Sequence, residues 1–267
     1  ESPSVFGANK ARITIGYAGN LPTSITQSGY TPTGSAVSRS IALGYNTYGQ
    51  VTSIDGPRTD VNDITTLTYN ECASGGACGQ LRSIANALGQ STVFNSYDGA
   101  GRLLEMTDAN GLKTNYQYDA RGRVRIITQT PASGSVRVSE YRYTAAGDLT
   151  FAALPDGRAL TYEYNAARLL TAVTDDLGNH IAYGYDLKGN RTQTYSYDSA
   201  GTLARAIDVA YEARNNISQI NRGGSITKFV TDAVGNVTNE YDPNTTAING
   251  ASNTYSSYDG MSRLLTS

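Results

Sequence analysis

Tyr97-Asp98-Gly99-Ala100-Gly101-Arg102-Leu103 is followed 21 residues later by Tyr118-Asp119-Ala120-Arg121-Gly122-Arg123-Val124, and the recurrence of this Y-D-x-x-G-R unit decides the fold. Further copies are Tyr185-Asp186-Leu187-Lys188-Gly189-Asn190 and Tyr197-Asp198-Ser199-Ala200-Gly201. Weaker ones begin at Tyr45, Tyr143 and Tyr211, and the copy at Tyr164 has Arg168 where the glycine belongs. The chemistry of the unit is that of a turn. Asp accepts backbone N–H groups with its own side chain, and Gly three places on suits a left-handed conformation. A second turn sits about ten residues further, as in Asp108-Ala109-Asn110-Gly111, Leu154-Pro155-Asp156-Gly157 and Asp175-Asp176-Leu177-Gly178-Asn179. Short segments rich in Thr, Val, Ile and Tyr separate the turns and read as strands. One repeat is therefore a hairpin that feeds the next hairpin.

Working outward, the strands show a period of two. Tyr116 and Tyr118, Tyr141 and Tyr143, Tyr162 and Tyr164, Tyr183 and Tyr185, and Tyr195 and Tyr197 are i,i+2 pairs, each on one face of its strand. After the turns, apolar residues fall instead at i,i+3: Val51 and Ile54, Leu81 and Ile84, Leu103 and Met106, Val124 and Ile127, Ile217 and Ile220. Either a bulge beside the turn restores one face, or both faces are partly covered. Leu203, Ile207 and Tyr211 also carry a helical spacing, but the position of this segment in the repeat favours a strand.

Composition agrees with a sheet. Of 267 residues, 20 are Tyr, 28 Gly, 4 Phe, none Trp and one His. Tyr buries a large ring while its hydroxyl still needs a partner, which suits half-buried sheet faces. A net charge of −2 gives no electrostatic reason to bind nucleic acid. No window approaches the ~18 apolar residues of a membrane span. Glu1-Ser2-Pro3-Ser4 has neither the basic nor the apolar region of an export signal. The repeat beginning at Tyr258 stops inside its unit, so the expectation is a single repeat array over 1–267, cut from a longer shell-forming protein.

The Y-D-x-x-G-R-L unit with its partner turn resembles the YD repeats of bacterial Rhs proteins, of the C subunits of insecticidal toxin complexes and of animal teneurins. Tyr45-Asn46-Thr47-Tyr48-Gly49-Gln50-Val51-Thr52-Ser53-Ile54-Asp55-Gly56-Pro57-Arg58 is especially similar to proteobacterial Rhs proteins. The resemblance implies an all-β strip of antiparallel hairpins that twists and spirals into part of a hollow β-shell. It implies partners as well: the rest of the shell, a toxin enclosed in the same polypeptide, and a component of a secretion apparatus. It places the protein outside the cell or on its surface, exported by a bacterial secretion system. Such cores end in a self-cleaving segment with a D-P-x-G-like motif. Tyr241-Asp242-Pro243-Asn244 has the Asp-Pro pair without the glycine, so neither cleavage nor toxicity is assigned to this chain.

Candidate chemical residues have simple readings. Cys72 and Cys78, with Gly75 and Gly76 between them, can close a local disulfide; free thiols are the alternative, and two thiols with no nearby His make a poor zinc set. His180 has no nucleophile or second His to work with. The recurrent Asp residues open turns and lack the spacing of a calcium loop. Arg102, Arg123 and Arg263 follow turns and are expected to pair with turn carboxylates. Gly99-Ala100-Gly101 does not continue into a dinucleotide fingerprint. No cofactor, metal or catalytic set is expected. The expected role is a non-catalytic shell segment that encapsulates a toxin or other cargo for delivery to competing or host cells. The alternative is a cell-surface adhesion or carbohydrate-binding module, because Tyr faces can stack on sugars.

Overall fold

The computed structural model describes residues 2–4, 7–31, 33–72, 77–241 and 253–266. It divides into two units, Glu1–Val138 and Ser139–Ser267. Every regular element among the described residues is a strand, and the strands pair antiparallel with their sequence neighbours.

In the first unit the order is β1 (Ser2–Ser4), β2 (Gly7–Ala18), β3 (Leu21–Tyr30), β4 (Ala36–Tyr45), β5 (Val51–Asp55), β6 (Thr65–Tyr69), β7 (Leu81–Ala85), β8 (Ser91–Tyr97), β9 (Leu103–Thr107), β10 (Lys113–Tyr118) and β11 (Val124–Thr130). In the second it is β12 (Arg137–Tyr143), β13 (Leu149–Ala153), β14 (Ala159–Tyr164), β15 (Leu170–Asp175), β16 (His180–Tyr185), β17 (Arg191–Tyr197), β18 (Leu203–Tyr211), β19 (Ile217–Arg222), β20 (Ser225–Thr231), β21 (Val237–Tyr241) and β22 (Asn253–Tyr255). A separate hairpin, β23 (Ser257–Tyr258) with β24 (Leu264–Thr266), follows. The segment with the helical spacing, Leu203 to Tyr211, is strand β18: β17 pairs with it from Leu203 to Asp208 and β19 from Ile207 to Tyr211, a ladder that a helix would forfeit.

Each unit is a single layer. Only Thr114 (5% exposed) and Ala152 (6%) are buried among the described residues, so the apolar side chains are half-covered by cross-strand neighbours and not by a second layer. The i,i+3 spacing is resolved by bulges. Opposite each hairpin's tyrosine the register skips one residue on the post-turn strand: Gly44 pairs with Ser53 but Tyr45 with Val51, and Gln117 pairs with Ile126 but Tyr118 with Val124. The skip restores one face. Val51 sits opposite Tyr45 and Ile54 opposite Leu43; Val124 sits opposite Tyr118 and Ile127 opposite Tyr116; Ile217 sits opposite Tyr211 and Ile220 opposite Val209. Tyr, Leu, Ile and Val thus share a face although their sequence spacing changes at the turn.

Candidate functional site

The turns are built alike. At Asp98 the backbone N–H donates to the Arg102 carbonyl (2.9 Å) and Gly101 N–H donates to the Asp98 carbonyl (2.9 Å). Asp98 Oδ1 accepts from the N–H groups of Ala100 and Arg102, both at 2.9 Å. Gly101 takes φ 77°. This is the bonding of a three-residue hairpin loop, with the left-handed residue last. Asp119 and Gly122 (φ 80°), and Asp186 and Gly189 (φ 86°), repeat it. Where glycine is missing, Arg168, Asn215 and Ser262 adopt φ 64°, 66° and 59° at the same place.

The second carboxylate oxygen engages the residue after the turn. Asp98 Oδ2 accepts from Arg102 Nε at 2.6 Å, Asp119 Oδ2 from Arg123 Nε at 2.7 Å, and Asp259 Oδ2 from Arg263 Nε at 2.6 Å. In Asp186 an amide does this work, Asn190 Nδ2 at 2.9 Å. The turn carboxyls are held below the usual range. For Asp98 the leading cause is the Arg102 backbone N–H, for Asp119 the Arg123 side chain, and for Asp186 the Asn190 side chain.

At seven of the described turns of this kind the preceding tyrosine has a second partner. Its hydroxyl reaches back to the preceding hairpin and donates to a backbone carbonyl: Tyr45 to Pro22 (2.6 Å), Tyr69 to Val51 (2.8 Å), Tyr97 to Leu81 (2.6 Å), Tyr118 to Leu103 (2.7 Å), Tyr185 to Leu170 (2.6 Å), Tyr211 to Arg191 (3.0 Å) and Tyr258 to Val237 (3.0 Å). The acceptor is repeatedly the register partner of the previous tyrosine: Val51 pairs with Tyr45, Leu81 with Tyr69, Leu103 with Tyr97 and Leu170 with Tyr164. The result in each unit is a ladder of hydroxyls beside one set of strand ends, here the tyrosine end. Turn-to-turn contacts reinforce it. Gln50 Nε2 donates to the Gly79 carbonyl at 2.8 Å, and the Arg102 guanidinium lies 4.7 Å from the Tyr118 ring centre. Arg168 Nη2 binds Asp148 Oδ1 at 2.8 Å, and Arg214 Nη1 donates to the Ala233 carbonyl at 2.9 Å. Sequence reading missed the ladder, because the acceptor is a main-chain oxygen that no residue type announces.

Tyr197, Asp198 and Gly201 stand apart. The turn has the same internal bonds, with Asp198 Oδ1 accepting from Ala200 and Thr202 N–H, but it lies at the far end of the strands. Tyr197 is only 12 residues from Tyr185, one strand further, so chain direction reverses between them. Tyr197 pairs with His180 and Tyr195 with Ala182, whereas Tyr183 pairs with Thr194 and Tyr185 with Arg191, so Tyr195 and Tyr197 occupy the face opposite the ladder. This copy belongs with the partner turns such as Asp108 and Asp175.

Cys72 and Cys78 are joined by a disulfide across the turn after β6. Ala73 to Gly76, and the Asp242-Pro243-Asn244 stretch, lie outside the described residues. Among the described residues no group of three or more His, Cys, Asp or Glu is placed to hold a metal ion, and no helix is long and apolar enough to cross a membrane. What the repeated geometry does chemically is fasten hairpin to hairpin.

A chain of stacked hairpins, each closed by an Asp-x-x-Gly loop and tied back by a tyrosine hydroxyl, is a β-hairpin repeat protein. The RHS Repeat family model matches residues 79–111, 97–136 and 143–180. The chain thus carries Rhs/YD repeats over these residues. It is 28% identical over 119 residues to the tRNA nuclease WapA of Bacillus subtilis, a match covering 44% of this chain and 5% of that protein. It is 30% identical over 103 residues to double-stranded DNA deaminase toxin A of Burkholderia cenocepacia, covering 39% of this chain and 7% of that protein. Among solved structures it is similar to TcdB2-TccC3 (TM-score 0.48, 15% identity, 94% of this chain and 17% of that one) and to the Photorhabdus luminescens Tc holotoxin pore (TM-score 0.47, 14% identity, 94% and 16%). The matched stretches thus span a small part of these relatives.

Proposed function

We propose that this chain is a non-catalytic wall segment of an Rhs shell, which sequesters a toxin or other cargo carried in the same polypeptide and delivered outside the producing cell. The observation that carries the reading is the single-layer sheet with one Tyr-, Leu- and Ile-lined face: its hairpins are fastened edge to edge, while neither face carries a covering layer of its own among the described residues. A wall needs that design, since lateral fastening gives continuity and an uncovered inner face can meet cargo. The named relatives, a tRNA nuclease and a DNA deaminase toxin, support a cargo that acts on nucleic acid. The wall itself supplies no chemistry in this reading, and the secretion apparatus is a partner of the whole particle.

Electron microscopy of the full-length protein tests the proposal. A hollow particle with these hairpins in its wall is the expected result; a solid particle with the hairpins packed around a filled core would overturn it.

A further inference from the structure

The residues that follow the tyrosine-end turns face in two directions. Backward, they bond the residue that opens their own turn, as Arg102 does with Asp98 and Asn190 with Asp186. Forward, they meet the left-handed residue of the next tyrosine-end turn. A Cβ added at Gly101 would come within 2.7 Å of Gln80 Nε2, one at Gly122 within 2.9 Å of Arg102 Nη1, and one at Gly235 within 3.3 Å of Asn216 Oδ1. Leu169 packs on Gly189 in the same way, and Gln50 bonds the Gly79 carbonyl. On the other strand ends a Cβ added at Gly89, Gly157 or Gly201 would meet nothing within 4 Å, so the contact belongs to the tyrosine ends.

Arg168 and Asn215 bring side chains to the left-handed position, and there the preceding post-turn residue complements them. Asp148 Oδ1 accepts from Arg168 Nη2 at 2.8 Å and from Arg168 Nε at 3.0 Å. Asn190 Nδ2 donates to Asn215 Oδ1 at 3.2 Å. In other respects the hairpins are interchangeable. Strands β14 and β16 each end in tyrosines at i,i+2 and run in the same direction, so β16 could pair with β13 while β14 and β15 are looped out. The hydroxyl ladder cannot prevent this, because every residue supplies a carbonyl. The side chain beside the ladder acceptor can: Arg102 precedes Leu103, and Leu169 precedes Leu170.

We propose that the residue after each tyrosine-end turn is a selector that fixes the order in which hairpins dock. It admits the next hairpin by its left-handed residue. Glycine is the match for Gln80, Arg102, Leu169 and Asn216, a guanidinium for Asp148 and an amide for Asn190. A hairpin docked out of order would set the Asp148 carboxylate against Gly189, which brings it no side-chain donor. Specificity rests on such mismatches as much as on the match, and stacked repeats are prone to misassembly without them.

The test is pulse-labelled hydrogen exchange, read by mass spectrometry, during refolding of the full-length protein. Asp148→Leu changes the selector to one that suits Gly189, as Leu169 does, and no longer suits Arg168. This variant should refold through a transient second isotopic envelope in which β14 and β15 are unprotected while β13 and β16 are protected. The unaltered protein should lack that envelope. Asp148→Leu combined with Arg168→Gly should lose most of it, since both hairpins then offer glycine and the nearer one wins. Asp148→Asn, which keeps the size and copies Asn216 opposite Gly235, carries the same expectation should Asp148→Leu not fold. At equilibrium, the effect of Arg168→Gly on the protection of β14 should differ about fivefold between the native and Asp148→Leu backgrounds. Absence of the skipped envelope from both Asp148 variants, its presence in the unaltered protein, its persistence undiminished in the double variant, or equal effects of Arg168→Gly in the two backgrounds would each overturn the proposal.

Discussion

The hydroxyl of Tyr118 donates to the carbonyl of Leu103 at 2.7 Å, and Leu103 is itself the register partner of Tyr97 across the preceding turn. One bond therefore ties the β10–β11 hairpin to the strand paired with the tyrosine of the hairpin before it. Replacing Tyr118 with Phe keeps the ring and strands a half-buried carbonyl, at a cost of about 1 kcal/mol. Hydrogen exchange of the full-length protein should show faster opening around β9 and β10. Tyr116→Phe is the comparison, since that hydroxyl reaches only Met106 Sδ at 3.7 Å. Equal effects from the two variants would count against the ladder.

Acid should loosen the turns. The carboxyls of Asp98, Asp119, Asp175, Asp186, Asp232 and Asp259 are all depressed, by backbone N–H groups and by the Arg or Asn that follows each turn. A depressed native value means the fold favours the carboxylate. The associated stability is complete above the unfolded value of about 3.9 and is lost as pH falls through the native values. Melting followed by far-UV circular dichroism should be flat from about pH 8 to 5 on this account and should decline below about pH 4. A decline beginning near neutrality would point to other groups.

Glycine substitutions should change sign with position. Gly122 holds φ 80°, so Gly122→Ala puts a side chain in the left-handed region and should cost about 1 kcal/mol. Ser262 already bears that strain at φ 59°, so Ser262→Gly should stabilise its hairpin by up to about 1 kcal/mol. Denaturant melts of both variants check the pair; the same sign in both would contradict the turn geometry.

The disulfide should matter locally. Closing the short loop from Cys72 to Cys78 restricts the unfolded chain by an amount worth about 2 kcal/mol on the chain-entropy estimate. Reduction should expose residues 70–80 to limited proteolysis, and dithiothreitol should have no further effect on a Cys72→Ser, Cys78→Ser variant.

The turns were legible in sequence because Asp98 and Gly101 each have a single useful chemistry there: a short acceptor and a left-handed backbone. The face of each strand was only partly legible. Val124 and Ile127 look misaligned until the skipped Arg125 is known, and a bulge residue has no type of its own. Tyr197-Asp198 misled for a related reason: its motif is that of the tyrosine-end turns, but its 12-residue distance from Tyr185 reverses the strand direction and the face. That distance was the available signal. The Tyr118 to Leu103 bond left none, since any residue can supply a carbonyl.

In each unit the hydroxyl links stand beside the turns of one set of strand ends, and the described loops at the other set vary from the two-residue Gly223-Gly224 to the nine residues 56–64. Lengthening a flexible loop costs little, with each doubling adding about 0.6 kcal/mol. The molecule is therefore a natural display scaffold: an epitope or a protease tag grafted between Ala85 and Ser91, or between Ala153 and Ala159, would ride on a frame whose fastenings it never touches.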